Sequence, residues 1–437
     1  MRFYIETLGC PKNQVDSEMM ATILQGEGHV EVTDPGEADA LIVNTCGFIA
    51  PARDESCQVL QELARTKSGN QFLIAAGCMP QRYEEEILRC VPEVDALIGT
   101  QTWPEIADLF DELACRDPST DRPTLIRDAG RVIASVPRQA VMGATAYLKI
   151  ADGCDAACGY CTIPAIKGPQ RSKEPQEIVR EARELDEQGV QEIVLIAQDT
   201  TAYARDLGKR HGLANLLRRI SKAVPDLPWM RIMYAYPQHV TPRLAHTMAT
   251  LEPVCHYLDM PVQHGHPDVL RRMRRPHDLD EVRETVALLR EAMPDISLRS
   301  TFIVGYPGET EKEFEALLSF MEEIAFDKVG IFAYSLEAGT YGATLPDRVP
   351  PDVIAERYDR AMTLQQEISL ARNQEQIGWQ MAVLIEGAGD GISVGRSYRD
   401  APEVDGLILI EEELPVGTFH LVEIAGANEY DLIGDLV

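Results

Sequence analysis

Apolar residues recur along the chain with two different periods, and the change of period divides it into three segments. Up to about residue 135, short apolar runs are separated by stretches whose apolar positions follow helical spacing. Phe3 to Leu8, Ala40 to Asn44, Phe72 to Ala76 and Ala96 to Ile98 read as strands. Helical patterns follow at Val15 to Leu24, Glu55 to Arg65, Tyr83 to Leu88 and Ile106 to Leu113. This alternation predicts an open parallel α/β sheet with helices on its faces. Arg116 to Arg138, rich in Asp, Pro and Arg, reads as a linker or an exposed hairpin.

The second segment, residues 136–374, repeats the alternation. Strand-like runs lie at Tyr147 to Ile150, Glu192 to Ala197, Met230 to Ala235, Tyr257 to Val262, Leu298 to Val304 and Lys328 to Ala333. Helical patterns between them include Ile178 to Gln188, Leu213 to Val224, Asp280 to Met293 and Lys312 to Ile324. Six β–α units are too few for an eight-stranded barrel and too many for one mononucleotide-binding half, so an incomplete (βα)6 barrel is expected. A last helix, Pro351 to about Ile377, leaves it. From 375 to 437 the period falls to two: Ala382 to Glu386, Ile392 to Gly395, Leu407 to Glu411 and Phe419 to Ile424, broken by Gly, Asp and Pro. That predicts a small antiparallel β-barrel. Three domains are therefore expected, 1–135, 136–374 and 375–437.

Composition narrows the chemistry. No apolar run approaches bilayer length and Met1 leads straight into a strand, so a cytoplasmic protein without membrane contact is expected. Ten cysteines in a reducing compartment argue for metal or redox sites over a disulfide framework. With 70 acidic against 41 basic residues the net charge is −29, which disfavours nucleic acid and suits either solubility or a basic partner.

Two cysteine trios stand out. Cys154, Cys158 and Cys161 form C-x-x-x-C-x-x-C directly after the first strand of the second segment, at the end where barrels place their chemistry. Three such thiolates can hold three irons of a 4Fe-4S cluster and leave one open for S-adenosylmethionine, whose reductive cleavage yields a radical. A structural zinc site needs a fourth ligand, and no Cys or His follows at finger spacing. Tyr160 is placed to stack on an adenine or simply to pack. Cys10, Cys46 and Cys78 are distant in sequence but each ends a strand of the first segment, with Gly9, Gly47 and Gly77 beside them. Carboxyl ends of parallel strands line one crevice, so these three are expected to converge on a second cluster. Cys57, Cys90, Cys115 and Cys255 read as structural or incidental, and His264 and His266 as loop polarity or ligand contacts.

Leu8-Gly9-Cys10-Pro11-Lys12-Asn13-Gln14-Val15-Asp16-Ser17-Glu18 resembles the opening motif of the methylthiotransferases, within them the RimO branch. Gly153 to Ser172, with Cys161-Thr162-Ile163-Pro164 and Gly168-Pro169-Gln170-Arg171-Ser172, resembles the same family's radical motif. The resemblance spans essentially the whole chain and neither motif departs from it. It implies an N-terminal methylthiotransferase domain, a radical S-adenosylmethionine core and a terminal TRAM domain. Cys154, Cys158 and Cys161 are then the ligands of the cluster that cleaves S-adenosylmethionine. Cys10, Cys46 and Cys78 are those of an auxiliary 4Fe-4S cluster that carries or delivers sulfur. The implied reaction converts an aspartate of small-subunit ribosomal protein S-twelve to β-methylthioaspartate, with an external electron donor and a second S-adenosylmethionine as methyl source. Gln198, Asp199, Arg299 and Gly305-Tyr306-Pro307-Gly308-Glu309 are candidates for binding S-adenosylmethionine at strand ends.

The sister branch, resembling MiaB, modifies an adenosine of transfer RNA, and an RNA-gripping barrel should be basic. Residues 375–437 carry 13 acidic and 2 basic residues. Glu403, Asp405, Glu411, Glu412, Glu413, Glu423 and Asp431 read as charges on that barrel, which favours a basic protein substrate without direct nucleic-acid reading. A non-catalytic, zinc-stabilised module that docks on ribosomes is the alternative outside enzymes.

Overall fold

A computed structural model describes residues 1–115, 122–128, 136–138 and 143–437. The expected linker at 116–138 lies largely outside the described residues. Two compact units are present. One joins Ala151–Lys173 and Ser335–Ala343 to the described part of Met1–Val141, and the other comprises the rest.

In chain order the first unit holds β1 (Arg2–Thr7), α1 (Pro11–Gly26), β2 (Val30–Glu31), β3 (Ala40–Thr45), α2 (Ala50–Thr66), β4 (Phe72–Gly77), α3 (Cys78–Cys90), β5 (Ala96–Gly99), α4 (Ile106–Cys115) and β6 (Thr124–Leu125). The strands form one parallel sheet in the order β2-β1-β3-β4-β5-β6. Central β3 reads Ala-Leu-Ile-Val-Asn-Thr and is buried throughout, as a strand covered by helices on both faces must be. Leu41, Val43, Leu60, Leu73, Met79, Ile87 and Leu97 pack into the core between the sheet and α2 and α3. The same two helices carry a disulfide, Cys57 to Cys90, with Cα atoms 6.3 Å apart. Of the two readings, structural or incidental, the pairing gives both thiols the structural one, because helices after adjacent strands lie side by side.

β7 (Thr145–Lys149) belongs to the second unit. The chain then enters the first unit through β8 (Ala151–Asp152), α5 (Ile163–Lys167) and β9 (Arg171–Ser172), β8 and β9 pairing as a short antiparallel ladder around the Cys154-Cys158-Cys161 loop. The second unit continues with α6 (Pro175–Glu187), β10 (Glu192–Ile196), α7 (Gly212–Ala223), β11 (Trp229–Ile232), α8 (Pro242–Thr250), β12 (Val254–Asp259), α9 (Pro267–Arg272), α10 (Leu279–Ala292), β13 (Ser297–Val304), α11 (Glu311–Ile324), β14 (Lys328–Ala333) and α12 (Pro351–Gln374). Its six strands are all parallel, in the order β14-β13-β12-β11-β10-β7, and the two end strands do not meet. This is the incomplete barrel that the pattern predicts.

β15 (Gln380–Gly389), β16 (Ile392–Arg396), β17 (Ile408–Ile410), β18 (Phe419–Ala427) and β19 (Leu432–Leu436) close into a five-stranded barrel around Val383, Ile385, Ile408, Val422 and Ile424. The pattern predicts four antiparallel runs. The fifth strand, β19, completes the closure by pairing antiparallel with β18 and parallel with β17.

Buried ion pairs join this barrel to the amino ends of the six strands. Glu192, the first residue of β10, lies 2.6 Å from Arg231 of β11 and 2.6 Å from Arg396 of β16, and none of the three side chains is more than 1% exposed. Arg399–Asp327 at 2.7 Å and Lys328–Asp400 at 3.0 Å repeat the arrangement. Burial pushes the Glu192 carboxyl up, but the two guanidiniums hold it below its ordinary range. Because the native carboxyl is depressed, its contribution is complete above the unfolded value and is lost as pH falls through the folded one. Glu192→Gln leaves the buried Arg231 without its carboxylate, while Arg396 keeps only Glu386, at 2.6 Å. It should lower unfolding free energy by about 3–5 kcal/mol in urea titration at neutral pH, and the gap between mutant and parent should narrow in acid.

Candidate active site: two cysteine trios

Cys10, Cys46 and Cys78 follow β1, β3 and β4, three strands adjacent in the sheet. Neighbouring strands lie about 4.8 Å apart, so the turns after them meet at one edge. Cys10 occupies the cap position before α1, Cys46 begins the turn into α2, and Cys78 is the first residue of α3. Close approach depends on two glycines. A methyl at Gly9, where φ is +91°, sits 3.0 Å from the Cys46 sulfur, and one at Gly47 sits 2.9 Å from the Cys78 carbonyl oxygen. Burial pushes Cys46 up to about 11 and Cys78 up to about 12, and the neighbouring Cys10 adds to both shifts. Cys10 is exposed, Cys46 partly so, and Cys78 buried, so the trio opens on one side.

Sequence reasoning missed the group that fastens these turns together. The Asn13 side-chain amide donates to Leu8 O at 2.8 Å and Thr45 O at 3.1 Å, and its oxygen accepts from the Cys78 thiol at 3.7 Å. Asn44 in turn donates to Asn13 O at 2.8 Å and to Ser17 Oγ at 2.9 Å. Asn13 stands in the quoted opening motif, but only the fold reveals what it touches.

The second trio lies in the same compact unit. Cys154, Cys158 and Cys161, all partly exposed, curl between β8 and α5, and Tyr160 among them is half-buried. Cys154 N donates to Gly168 O at 3.0 Å and Cys161 N to Cys158 O at 3.1 Å. Two sulfurs accept backbone N–H groups at 3.4 Å, Cys154 from Ala156 and Cys161 from Ile163. Such donors favour thiolate and tune bound iron. Thr162 Oγ1 donates to Phe48 O at 3.1 Å, linking this loop to the Cys46 turn. Each place offers three soft sulfur donors, the donor chemistry that suits a 4Fe-4S cluster.

The other candidates separate. Asp199, after β10, accepts from Ala202 N at 3.0 Å and pairs at 2.8 Å with His239, a residue the sequence reading passed over. His239 meets Arg205 at 2.6 Å, and these two border a cavity of about 510 Å³ at the carboxyl ends of β10 and β11. Glu309 is buried, accepts from Gly305 N at 2.9 Å and pairs with Arg357 at 2.8 Å. His264 is buried 3.5 Å from Glu309, so core pairing explains it better than loop polarity, and burial holds its imidazole below the ordinary value. His266 caps α9 by accepting from Asp268 N. Arg299 is not at a strand's carboxyl end: it lies early in β13, held by Asp259 at 3.0 Å and Asp405 at 3.3 Å.

The chain matches the models of three families: Uncharacterized protein family UPF0004 over residues 2–99, the Radical SAM superfamily over 148–321 and the TRAM domain over 377–437. It is 48% identical to the ribosomal protein uS12 methylthiotransferase RimO of Roseiflexus sp., over 100% of this chain and 97% of that one. The RimO of Herpetosiphon aurantiacus is 49% identical over the whole of both chains. The chain belongs to the RimO family of methylthiotransferases. It is thus a radical S-adenosylmethionine transferase, and its cofactors are S-adenosylmethionine and 4Fe-4S clusters. The structure of the radical methyltransferase TsrM from Kitasatospora setae has the same fold at a TM-score of 0.57 and 15% identity, covering 92% of this chain and 82% of that one.

In this RimO-family chain the Asn13 amide joins the turns that carry the first trio. Asn13→Ala strips the Leu8 and Thr45 carbonyls of their side-chain donor in a buried site. It should lower unfolding free energy of the iron-free protein by about 1–3 kcal/mol in a denaturant titration.

Proposed function

We propose that this chain converts an aspartate side chain of ribosomal protein uS12 to its β-methylthio derivative, and that the two trios divide the work. When bound, the cluster on Cys154, Cys158 and Cys161 supplies the electron that cleaves S-adenosylmethionine, and the one on Cys10, Cys46 and Cys78 supplies sulfur. The observation that carries this reading is the joining of both trios in one compact unit. The chain's own residues fix the geometry: Asn13 and the two glycines set the first trio, and Thr162 ties the second trio's loop to the Cys46 turn. We also assign the domains as 1–135, 136–374 and 375–437, and the cytoplasm as the place of action. Among the described residues no helix is long and apolar enough to cross a membrane.

Charge on the C-terminal barrel supports a basic protein as substrate over transfer RNA. Its two basic side chains, Arg396 and Arg399, are both buried against Glu192 and Asp327, so the barrel exposes neither Lys nor Arg. Glu403, Glu411, Glu412, Glu413 and Glu423 are exposed. Two expected surface charges are otherwise engaged: Asp405 is buried on Arg299 and Tyr257, and Asp431 accepts from Leu407 N. What remains is a one-signed acidic surface, which repels phosphate and steers cations.

Separable roles give the sharpest test. Replacing Cys154, Cys158 and Cys161 by Ala should abolish reductive cleavage of S-adenosylmethionine. Replacing Cys10, Cys46 and Cys78 should leave cleavage measurable and stop methylthio product. Each triple variant should hold about four irons against about eight in the parent. Normal product from the second variant refutes the auxiliary role.

The acidic barrel makes a kinetic prediction. Glu411→Lys, Glu412→Lys and Glu413→Lys together should slow modification of the protein substrate severalfold at low salt. The difference should shrink as ionic strength rises, because exposed charges are screened within about 8 Å at physiological salt. Cleavage of S-adenosylmethionine without substrate should stay unchanged. Equal salt slopes for parent and variant place docking elsewhere.

A further inference from the structure

Lys167 ends α5, the short helix that follows the second trio, and is only 2% exposed. A buried ammonium persists only where opposite charge offsets its lost hydration. Two carboxylates do this: Asp16 of α1 at 3.2 Å and Asp152 of β8 at 3.5 Å. The backbone around it is clamped as well. Gln101 and Arg171 donate to Lys167 O at 3.3 and 3.1 Å, and Thr100 to Ile166 O at 3.3 Å.

Stability alone does not account for this arrangement, since apolar residues of similar volume commonly replace a buried ion pair without loss. Its placement does. Asp16 lies on the helix that Cys10 caps, and Asp152 is two residues before Cys154, so Lys167 stands between the trios. Burial works against its charge, while Asp152 and Asp16 reinforce it. On the same helix, three positions before Asp16, the Asn13 amide oxygen accepts from the Cys78 thiol at 3.7 Å, so the Lys167–Asp16 pair adjoins the first trio.

We propose that Lys167 is a positioning residue of the auxiliary site, its fixed ammonium holding the negative charge of a cluster on Cys10, Cys46 and Cys78 and of the sulfur anion carried there. The proposal rests on the reading that this trio holds a cluster. Three thiolates outweigh the charge of an oxidised cubane core, so the loaded site is anionic. An added electron or bound sulfide makes it more so. A cation beside it in a dry, preorganised site stabilises each of these states.

The test uses the full chain carrying Cys154→Ala, Cys158→Ala and Cys161→Ala, in which the auxiliary cluster alone gives the iron–sulfur spectrum. After anaerobic reconstitution its midpoint potential is measured by spectroelectrochemistry. Adding Lys167→Met should lower the reduced-to-oxidised ratio at fixed potential about tenfold, equivalent to about 59 mV for one electron. Lys167→Arg should stay near the parent. Asp16→Asn, which leaves the cation less neutralised, should shift the potential upward, and it tests the idea even where the Met variant fails to load iron. Equal midpoints in every iron-loaded variant overturn the proposal. A parent triple variant without about four irons overturns instead the cluster reading beneath it.

Discussion

Everything in the first unit depends on one geometric constraint: adjacent parallel strands end at the same edge of a sheet. β1, β3 and β4 are neighbours, so residues separated by more than thirty positions in the chain meet in space. A thiol placed one to three residues past each strand then lands in a common crevice without any long loop to guide it. The cost of the arrangement is crowding, relieved where Gly9 and Gly47 lack a side chain, and buried turn carbonyls, to which Asn13 donates. The second trio reaches its own geometry differently, through closely spaced thiols in a loop pinned by β8, β9 and α5.

Strands with long apolar runs were legible because burial on both faces demands them. Phe72 to Gly77 and Ser297 to Val304 are examples, matched to within a residue or two. Elements that rest on pairing alone were not legible. β2 and β6 are two residues long, and β19 alternates with Gly434 and Asp435 in its middle. Both cysteine trios could be read, one from spacing and the other from its repeated place after strands. Their supports could not, because the partners are remote: Lys167 meets Asp16 across 151 positions, and Arg396 meets Glu192 across 204. No periodicity reports such a pair. Arg299 shows the converse, a basic residue in a barrel strand whose partner Asp405 lies at the junction with the C-terminal barrel.

The distribution of charge follows from the same junction. Arg396 and Arg399 are turned inward to meet Glu192 and Asp327 at the amino ends of the strands. That inward turn removes the C-terminal barrel's basic side chains from its surface and leaves the opposite, carboxyl ends of the six strands free of it. One set of buried ion pairs thus orients the barrel and determines the sign of the surface it presents. An RNA-binding module needs exposed cations, and this barrel has spent both of its own on the fold.

The central claim is that a protein aspartate receives the methylthio group. It is tested most directly by mass analysis of small-subunit ribosomal proteins after anaerobic incubation with the reconstituted enzyme, S-adenosylmethionine and a reductant. The account predicts that uS12 alone gains one methylthio group, located on an aspartate. Unmodified uS12 together with methylthiolated adenosine in transfer RNA added to the same reaction would contradict it.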